Sequence, residues 1–260
     1  PGHALAGMPA SVLLADGMRN PEGVAPMPLE ADPDATALFA SSSGTTGLPK
    51  VLALSQRVIA WRAWQVAHVQ AYAPDERVLV PMSSQEYPGK SMRVYTLIHG
   101  GTVVMWPGGA ATPPSVPAYC VAMCATTLQL TVLQARALVN DADGRDRLPA
   151  STRVFLGASR MPAGLPAAFE ERIGGRVYNR YGTTEIGIVA NMYPEGDDGT
   201  PDSVGRLAAG VELEIVDEKG RRVPPGEPGE IRLRCESMVE RYFDDPVATS
   251  RHFSDGWFYP

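Results

Sequence analysis

The sequence predicts an α/β protein, with a layered, mainly parallel sheet flanked by helices and then a small antiparallel β segment forming part of a barrel. Two observations carry this. Between residues 36 and 198 short apolar runs alternate with helix-period segments at the spacing of βαβ units. Past residue 200 the helical rhythm stops and two alternating strands follow, joined by a Pro/Gly-rich connection. At 260 residues the chain is long enough to bury a substantial core.

Taken in order, residues 1–35 read mostly as loop, an entry segment from a preceding subdomain, with SVLLADG (11–17) as a short strand. ATALFAS (35–41) is nearly continuous in apolar residues, which predicts a strand buried on both faces. VLALS (51–55) is a second strand, and SQRVIAWRAWQVAHVQAY (55–72) a helix capped by Ser55. RVLVPM (77–82) is strand-like, SMRVYTLIHG (91–100) a helix stopped by Gly100 and Gly101, and TVVMW (102–106) another strand. TTLQLTVLQARALVN (126–140) reads as one helix. RVFLGAS (153–159) and RVYNRYG (176–182) are strands on either side of a helix over LPAAFEERIG (165–174). In VELEIVDEKGRRVPPGEPGEIRLRCES (211–237) the two strands alternate, as one-sided antiparallel strands do. The expected division is an entry segment over 1–35, an α/β subdomain over 36–198 and a β-rich subdomain over 199–260.

Apolar residues make up 44% and charged residues 20%, which argues against a disordered or membrane-embedded class, and no apolar run approaches a bilayer span. A net charge of −6 without a basic cluster argues against nucleic acid as a partner. The start, PGHALAGMPA, has neither a signal-peptide pattern nor an initiator Met and reads as an internal portion of a longer chain. Cys120, Cys124 and Cys235 lack the second ligand pair of a zinc site. They read as buried, reduced thiols, which suits a cytoplasmic protein.

Three stretches carry chemistry. SSSGTTGLPK (41–50) follows a strand and offers the backbone N–H groups and hydroxyls of Ser42, Ser43, Gly44, Thr45, Thr46 and Gly47, closed by the cation of Lys50. Such a loop cradles a polyanion. Pro49 precedes Lys50 and no hydroxyl follows it, so the Gly-Lys-Ser/Thr order of a Walker loop is absent, and a flexible linker is the bland alternative. NRYGTTEIG (179–187) places an aromatic face in Tyr181, a hydroxyl in Thr184 and a carboxylate in Glu185 after a strand end, where α/β proteins bind ligands; an ordinary surface turn is the alternative. GASRMP (157–162) is a strand-to-loop exit. Trp61, Trp64 and His68 fall at helical spacing and read as a packed helix face, EGDDG (195–199) as a solvated turn, and His99 as a structural residue at a helix end.

SSSGTTGLPK, NRYGTTEIG and the terminal DGWFYP together resemble the phosphate loop, the Tyr-Gly-x-Thr-Glu motif and the Gly-Trp-Phe segment of the adenylate-forming superfamily, over about residues 30–260. That superfamily includes acyl-CoA synthetases, luciferases and peptide-synthetase adenylation domains. The resemblance implies a ligase that attacks the α-phosphorus of ATP with a carboxylate, releases pyrophosphate and passes the acyl group to a thiol, that of coenzyme A or of a carrier-protein phosphopantetheine arm. It assigns the 42–50 loop to the β- and γ-phosphates, Thr184 to the α-phosphate and Glu185 to Mg²⁺. Asn179, Arg180, Tyr181, Gly182 and Thr183 join the nucleotide site, with Tyr181 stacking on adenine, while Gly157, Ala158 and Ser159 border adenine and the acyl pocket. Thr184, Glu185 and Lys50 are the expected catalytic set. A peptide-synthetase adenylation domain and a non-catalytic nucleotide-binding module are the alternatives.

The pattern departs from the family at SSQEYPGK (83–90), where relatives often carry a His near the acyl pocket. Glu86, Tyr87 or Lys90 would take that space, which favours a polar or aromatic acid over a very long aliphatic one. The family's ribose-binding Asp, hinge and lysine-bearing carboxy-terminal domain are expected beyond Pro260.

Overall fold

The computed structural model describes residues 32–42, 50–73, 75–107, 115–192 and 203–260. The 11–17 strand, most of the phosphate-loop stretch (43–49) and the acidic turn at 195–199 lie outside the described residues. β1 (Thr36–Ser42) and β2 (Lys50–Ser55) form an antiparallel two-stranded ribbon. This corrects the expectation for ATALFAS: β1 pairs only with β2, so it is not buried on both faces, and Phe39 is 50% exposed.

Helix α1 (Gln56–Val69) starts at Ser55, whose hydroxyl accepts from the Val58 N–H. β3 (Arg77–Leu79), α2 (Tyr87–Ile98), β4 (Thr102–Val104), α3 (Val116–Ala122) and β5 (Thr127–Thr131) follow. TLQLT (127–131) is therefore strand, not part of a helix. Thr127 to Leu130 are all buried in the middle of the sheet, and Thr131 makes a reciprocal capping box with Gln134 that begins α4 (Val132–Asp141) only afterwards. The chain continues through β6 (Leu148–Gly157), α5 (Leu165–Arg172), β7 (Gly174–Thr183), β8 (Gly187–Asn191) and β9 (Arg206–Leu207).

The main sheet has the order β4-β3-β5-β6-β7-β8-β9, parallel through β7 and antiparallel in its last two strands. Because side chains alternate across a strand, each face gets its own core. Leu79, Leu128, Leu130, Val154 and Leu156 pack beneath α3, α4 and α5, while Val78, Val80, Ile188 and Val189 join the core beneath α1 and α2. A second antiparallel sheet, order β10-β11-β13-β12, comprises β10 (Glu212–Val216), β11 (Glu230–Arg234), β12 (Phe253–Ser254) and β13 (Trp257–Phe258), with α6 (Pro246–His252) between β11 and β12. Among the described residues no helix is long and apolar enough to cross a membrane.

Two further expectations are corrected. Cys120 is buried, but Cys124 is exposed at a left-handed turn (φ 51°) after α3. Trp64 and His68 point outward and stack on each other at 5.3 Å, since α1 buries the opposite stripe of Val58, Arg62, Gln65, Val66 and Val69.

Candidate functional site

A cleft of about 730 Å³ opens at the carboxyl edge of the parallel strands. Thr131 ends β5, Gly157 ends β6 with Ala158 just after it, and Arg180 and Gly182 lie near the end of β7, all lining one wall. The opposite wall comes from Lys50 on β2 together with Tyr242, His252 and Phe258. Ala158 turns the chain at the rim with φ 72°, a conformation costing a non-glycine residue about 1–3 kcal/mol.

The tight β7–β8 hairpin brings Thr184 and Glu185 into the cleft. Its strands approach so closely that a Cβ at Gly182 would lie 2.3 Å from the Gly187 carbonyl oxygen. The Thr183 hydroxyl accepts from the Ile186 N–H at 3.2 Å and closes the turn. Arg62, buried in α1, holds the tip from below by donating to the carbonyls of Thr184 (2.9 Å), Glu185 (2.8 Å) and Ser237 (2.8 and 3.0 Å), and to the Tyr87 hydroxyl (2.6 Å).

Glu185 is only 7% exposed, and its Oε1 accepts from the Tyr242 hydroxyl at 2.8 Å. Burial, then the neighbouring Glu185 carboxylate, raises the Tyr242 phenol far above its ordinary pKa, so it stays protonated as a donor. Lys50 Nζ lies 4.9 Å from the centre of the Tyr242 ring and 2.7 Å from His252 Nε2. An ammonium only donates, so Nε2 is the unprotonated ring nitrogen, and Nδ1–H donates to the Tyr259 carbonyl at 2.9 Å. The cleft wall thus carries a cation, a neutral imidazole and a carboxylate in fixed orientation.

Of the residues singled out from sequence, Lys50, Gly157, Ala158, Arg180, Gly182, Thr183, Thr184 and Glu185 line this cleft. Ser159, Asn179 and Tyr181 do not. Ser159 is exposed beyond the rim, Asn179 is buried and donates to the Ser203 carbonyl at 3.1 Å, and Tyr181 packs half-buried against the core under α1. Ser42 ends β1, while Ser43 to Gly47 lie outside the described residues. Of the three residues expected near the acyl pocket, Glu86 and Tyr87 line the cleft and Lys90 does not.

Sequence reasoning missed Arg62, Tyr242 and His252. Arg62 had one legible signal, a charged residue on the apolar stripe of an amphipathic helix. Among the described residues no group of three or more His, Cys, Asp or Glu gathers as a metal site. Glu185 offers a single carboxylate, which suits a Mg²⁺ that keeps water and substrate phosphates as its other ligands.

Comparison with known proteins agrees with this arrangement. The family model for AMP-binding enzymes matches residues 6–243. The sulfoacetate–CoA ligase of Cupriavidus necator is 31% identical over 243 residues, covering 91% of this chain and 46% of that protein. The indoleacetate–CoA ligase of Aromatoleum aromaticum is 29% identical, with 88% and 45% covered. Among solved structures, O-succinylbenzoate coenzyme A synthetase from Bacillus subtilis in complex with AMP superposes with a TM-score of 0.76 at 25% identity, covering 87% of this chain and 46% of that one. ATP-bound MatB from Rhodopseudomonas palustris shares the fold, with a TM-score of 0.75 at 22% identity and coverage of 89% and 46%. The chain spans about half the length of the curated relatives it matches. With its family model matched over most of its length and its motifs converging on one cleft, the chain belongs to the AMP-binding enzyme family.

Proposed function

We propose that this chain forms the nucleotide- and acid-binding part of an ATP-dependent carboxylate–thiol ligase. The observation that carries this reading is the convergence of Lys50, Thr184 and Glu185, from stretches more than 130 residues apart, on one cleft at the carboxyl edge of the sheet. A substrate carboxylate oxygen attacks the α-phosphorus of ATP, the bond to the bridging oxygen of the β-phosphate breaks, and pyrophosphate leaves with an acyl-adenylate formed. A thiolate, of coenzyme A or of a carrier-protein phosphopantetheine, then attacks the acyl carbon and AMP departs.

The protein's task is alignment and charge neutralisation rather than covalent chemistry. In this reading the Ser42–Lys50 stretch grips the β- and γ-phosphates, Thr184 donates its hydroxyl to the α-phosphate and Glu185 holds Mg²⁺, which neutralises phosphate charge when bound. His252 and Tyr242 support it by keeping Lys50 and Glu185 in place. The relatives' names span acids as different as sulfoacetate, indoleacetate and ferulate, so the names alone do not choose the acid.

The test is carboxylate-dependent exchange of labelled pyrophosphate into ATP by the full-length protein over a panel of acids. Exchange with at least one acid, abolished in Lys50→Ala and Glu185→Ala, is the expected result. ATP binding with no exchange for any acid would sink the ligase reading in favour of a non-catalytic binding module.

A further inference from the structure

Lys50 is held by neutral groups. Its Nζ lies 2.7 Å from His252 Nε2 and 4.9 Å from the centre of the Tyr242 ring, and no carboxylate among the described residues pairs with it. Glu185, in the same cleft, is bonded to the Tyr242 hydroxyl instead. β2 carries Lys50 and α6 carries His252, 202 positions apart, so the contact is made by the fold and not by a local turn.

The surroundings of His252 fix it as an acceptor. Its Nδ1–H donates to the Tyr259 carbonyl at 2.9 Å, and the Tyr259 N–H returns a bond to the His252 carbonyl at 2.7 Å. This reciprocal pair sets both the tautomer and the direction of the ring. The Tyr242 ring stands perpendicular to the imidazole with centres 5.9 Å apart, and Phe258 stacks against it at 6.3 Å. The Nε2 lone pair is thereby aimed at Lys50.

The charge of that acceptor decides what Lys50 can do. A carboxylate at position 252 would hold the ammonium as firmly, but it would cancel the charge and compete with phosphate oxygens for it. A neutral imidazole takes one of the three ammonium donors and leaves the charge and the other two donors to the cleft.

We propose that His252 is a positioning residue for the leaving group: as a neutral acceptor it aims the Lys50 ammonium at the β- and γ-phosphates without neutralising it, and so sets the preference for ATP and pyrophosphate over AMP. The assignment rests on the reading above for which phosphates Lys50 meets.

The experiment measures binding of magnesium ATP, magnesium pyrophosphate and AMP to the full-length protein by calorimetry, with pyrophosphate exchange alongside, in wild type, His252→Leu, His252→Gln and His252→Glu. Leu removes the acceptor, Gln keeps a neutral one, and Glu keeps the shape of Gln while adding a negative charge. ATP and pyrophosphate are expected to bind about 10-fold more weakly in His252→Leu and His252→Glu, and within about 3-fold of wild type in His252→Gln. AMP lacks the two phosphates that Lys50 meets, so its affinity should stay within about 2-fold of wild type in all three, a split that a loss of folding would not produce. Exchange should fall in the same order.

Unchanged ATP and pyrophosphate binding in His252→Leu and His252→Glu, or an AMP loss equal to the ATP loss, overturns the proposal and leaves the ligase reading intact so long as exchange persists. His252→Gln no better than His252→Leu overturns it too. Should His252→Leu melt far below wild type, the Gln and Glu variants decide, and equal ATP affinity in the two sinks the argument from charge. Absence of exchange with every acid, with ATP and pyrophosphate affinity still following the order Gln above Leu and Glu, overturns the ligase reading and supports the role of His252.

Discussion

Replacing Arg62 with Met removes one guanidinium and tests whether the β7–β8 hairpin is held from beneath by α1. Met fills similar space, so the loss is mainly of hydrogen bonds. The Ser237 carbonyl, in a fully buried residue, loses both of its donors from Arg62. The Thr184 carbonyl loses its donor but sits beside the cleft, where water replaces it in part. The Glu185 carbonyl keeps the Val239 N–H at 2.9 Å, and the Tyr87 hydroxyl keeps its contact with Tyr95 at 2.7 Å. An orphaned buried acceptor costs about 1–3 kcal/mol, and relief of the arginine's own desolvation offsets part of the total. The expected net loss is therefore about 2–4 kcal/mol, or roughly 5–12 °C in Tm for a chain of this size. Activity should suffer too, since a displacement of about 1 Å at an aligning group can cost about 100-fold. The assay is calorimetric melting of the full-length protein alongside pyrophosphate exchange, with Arg57→Met as control, because Arg57 pairs with Asp34 in solvent. A Tm within about 2 °C of wild type with undiminished exchange would refute the reasoning, as would an equal loss in the Arg57 control.

Tyr242→Phe removes the donor to Glu185 and should cost about 1.5–3 kcal/mol in melting experiments, most of it absent when Glu185 is already Ala, which has no acceptor; an additive double-mutant cycle would deny the coupling. Gly182→Ala places a Cβ against the Gly187 carbonyl, so the hairpin must open, with an expected loss of about 1–3 kcal/mol and weaker exchange; a neutral substitution would show that the hairpin gives way freely. Glu76 is buried beside Arg153; burial pushes its pKa up, but the Thr126 and Thr127 hydroxyls and Arg153 outweigh it, and the net direction is down. A lowered carboxylate contributes stability above its unfolded pKa, near about 4.3, and loses it as pH falls through the folded value. Glu76→Gln should therefore flatten the acid limb of a Tm-against-pH curve, and parallel limbs for mutant and wild type would count against the assignment.

Local patterning made much of the fold legible. Ser55 before an apolar helix-period segment marks α1, and the β-branched runs around Val78, Val103 and Val154 mark parallel strands. The failures share one cause, since an apolar run reports burial but not what buries it. Thr127–Thr131 reads as helix because Leu128 and Leu130 join the following apolar pattern, and only the Thr131–Gln134 capping box shows where the helix begins. β1 looks like a central strand, yet the chain gives it one partner and leaves Phe39 against Phe243 at the surface, 5.1 Å between ring centres.

The site divides along the same line. Residues legible in sequence sit in compact motifs, because a turn that presents Thr184 and Glu185 must also carry the glycine that lets its strands approach, and such constraints fall within a few positions. The residues that fix those motifs in space come from elsewhere: Arg62 reaches the hairpin across more than 120 positions, Tyr242 reaches Glu185 across 57, and His252 reaches Lys50 across 202. No local spacing records such contacts.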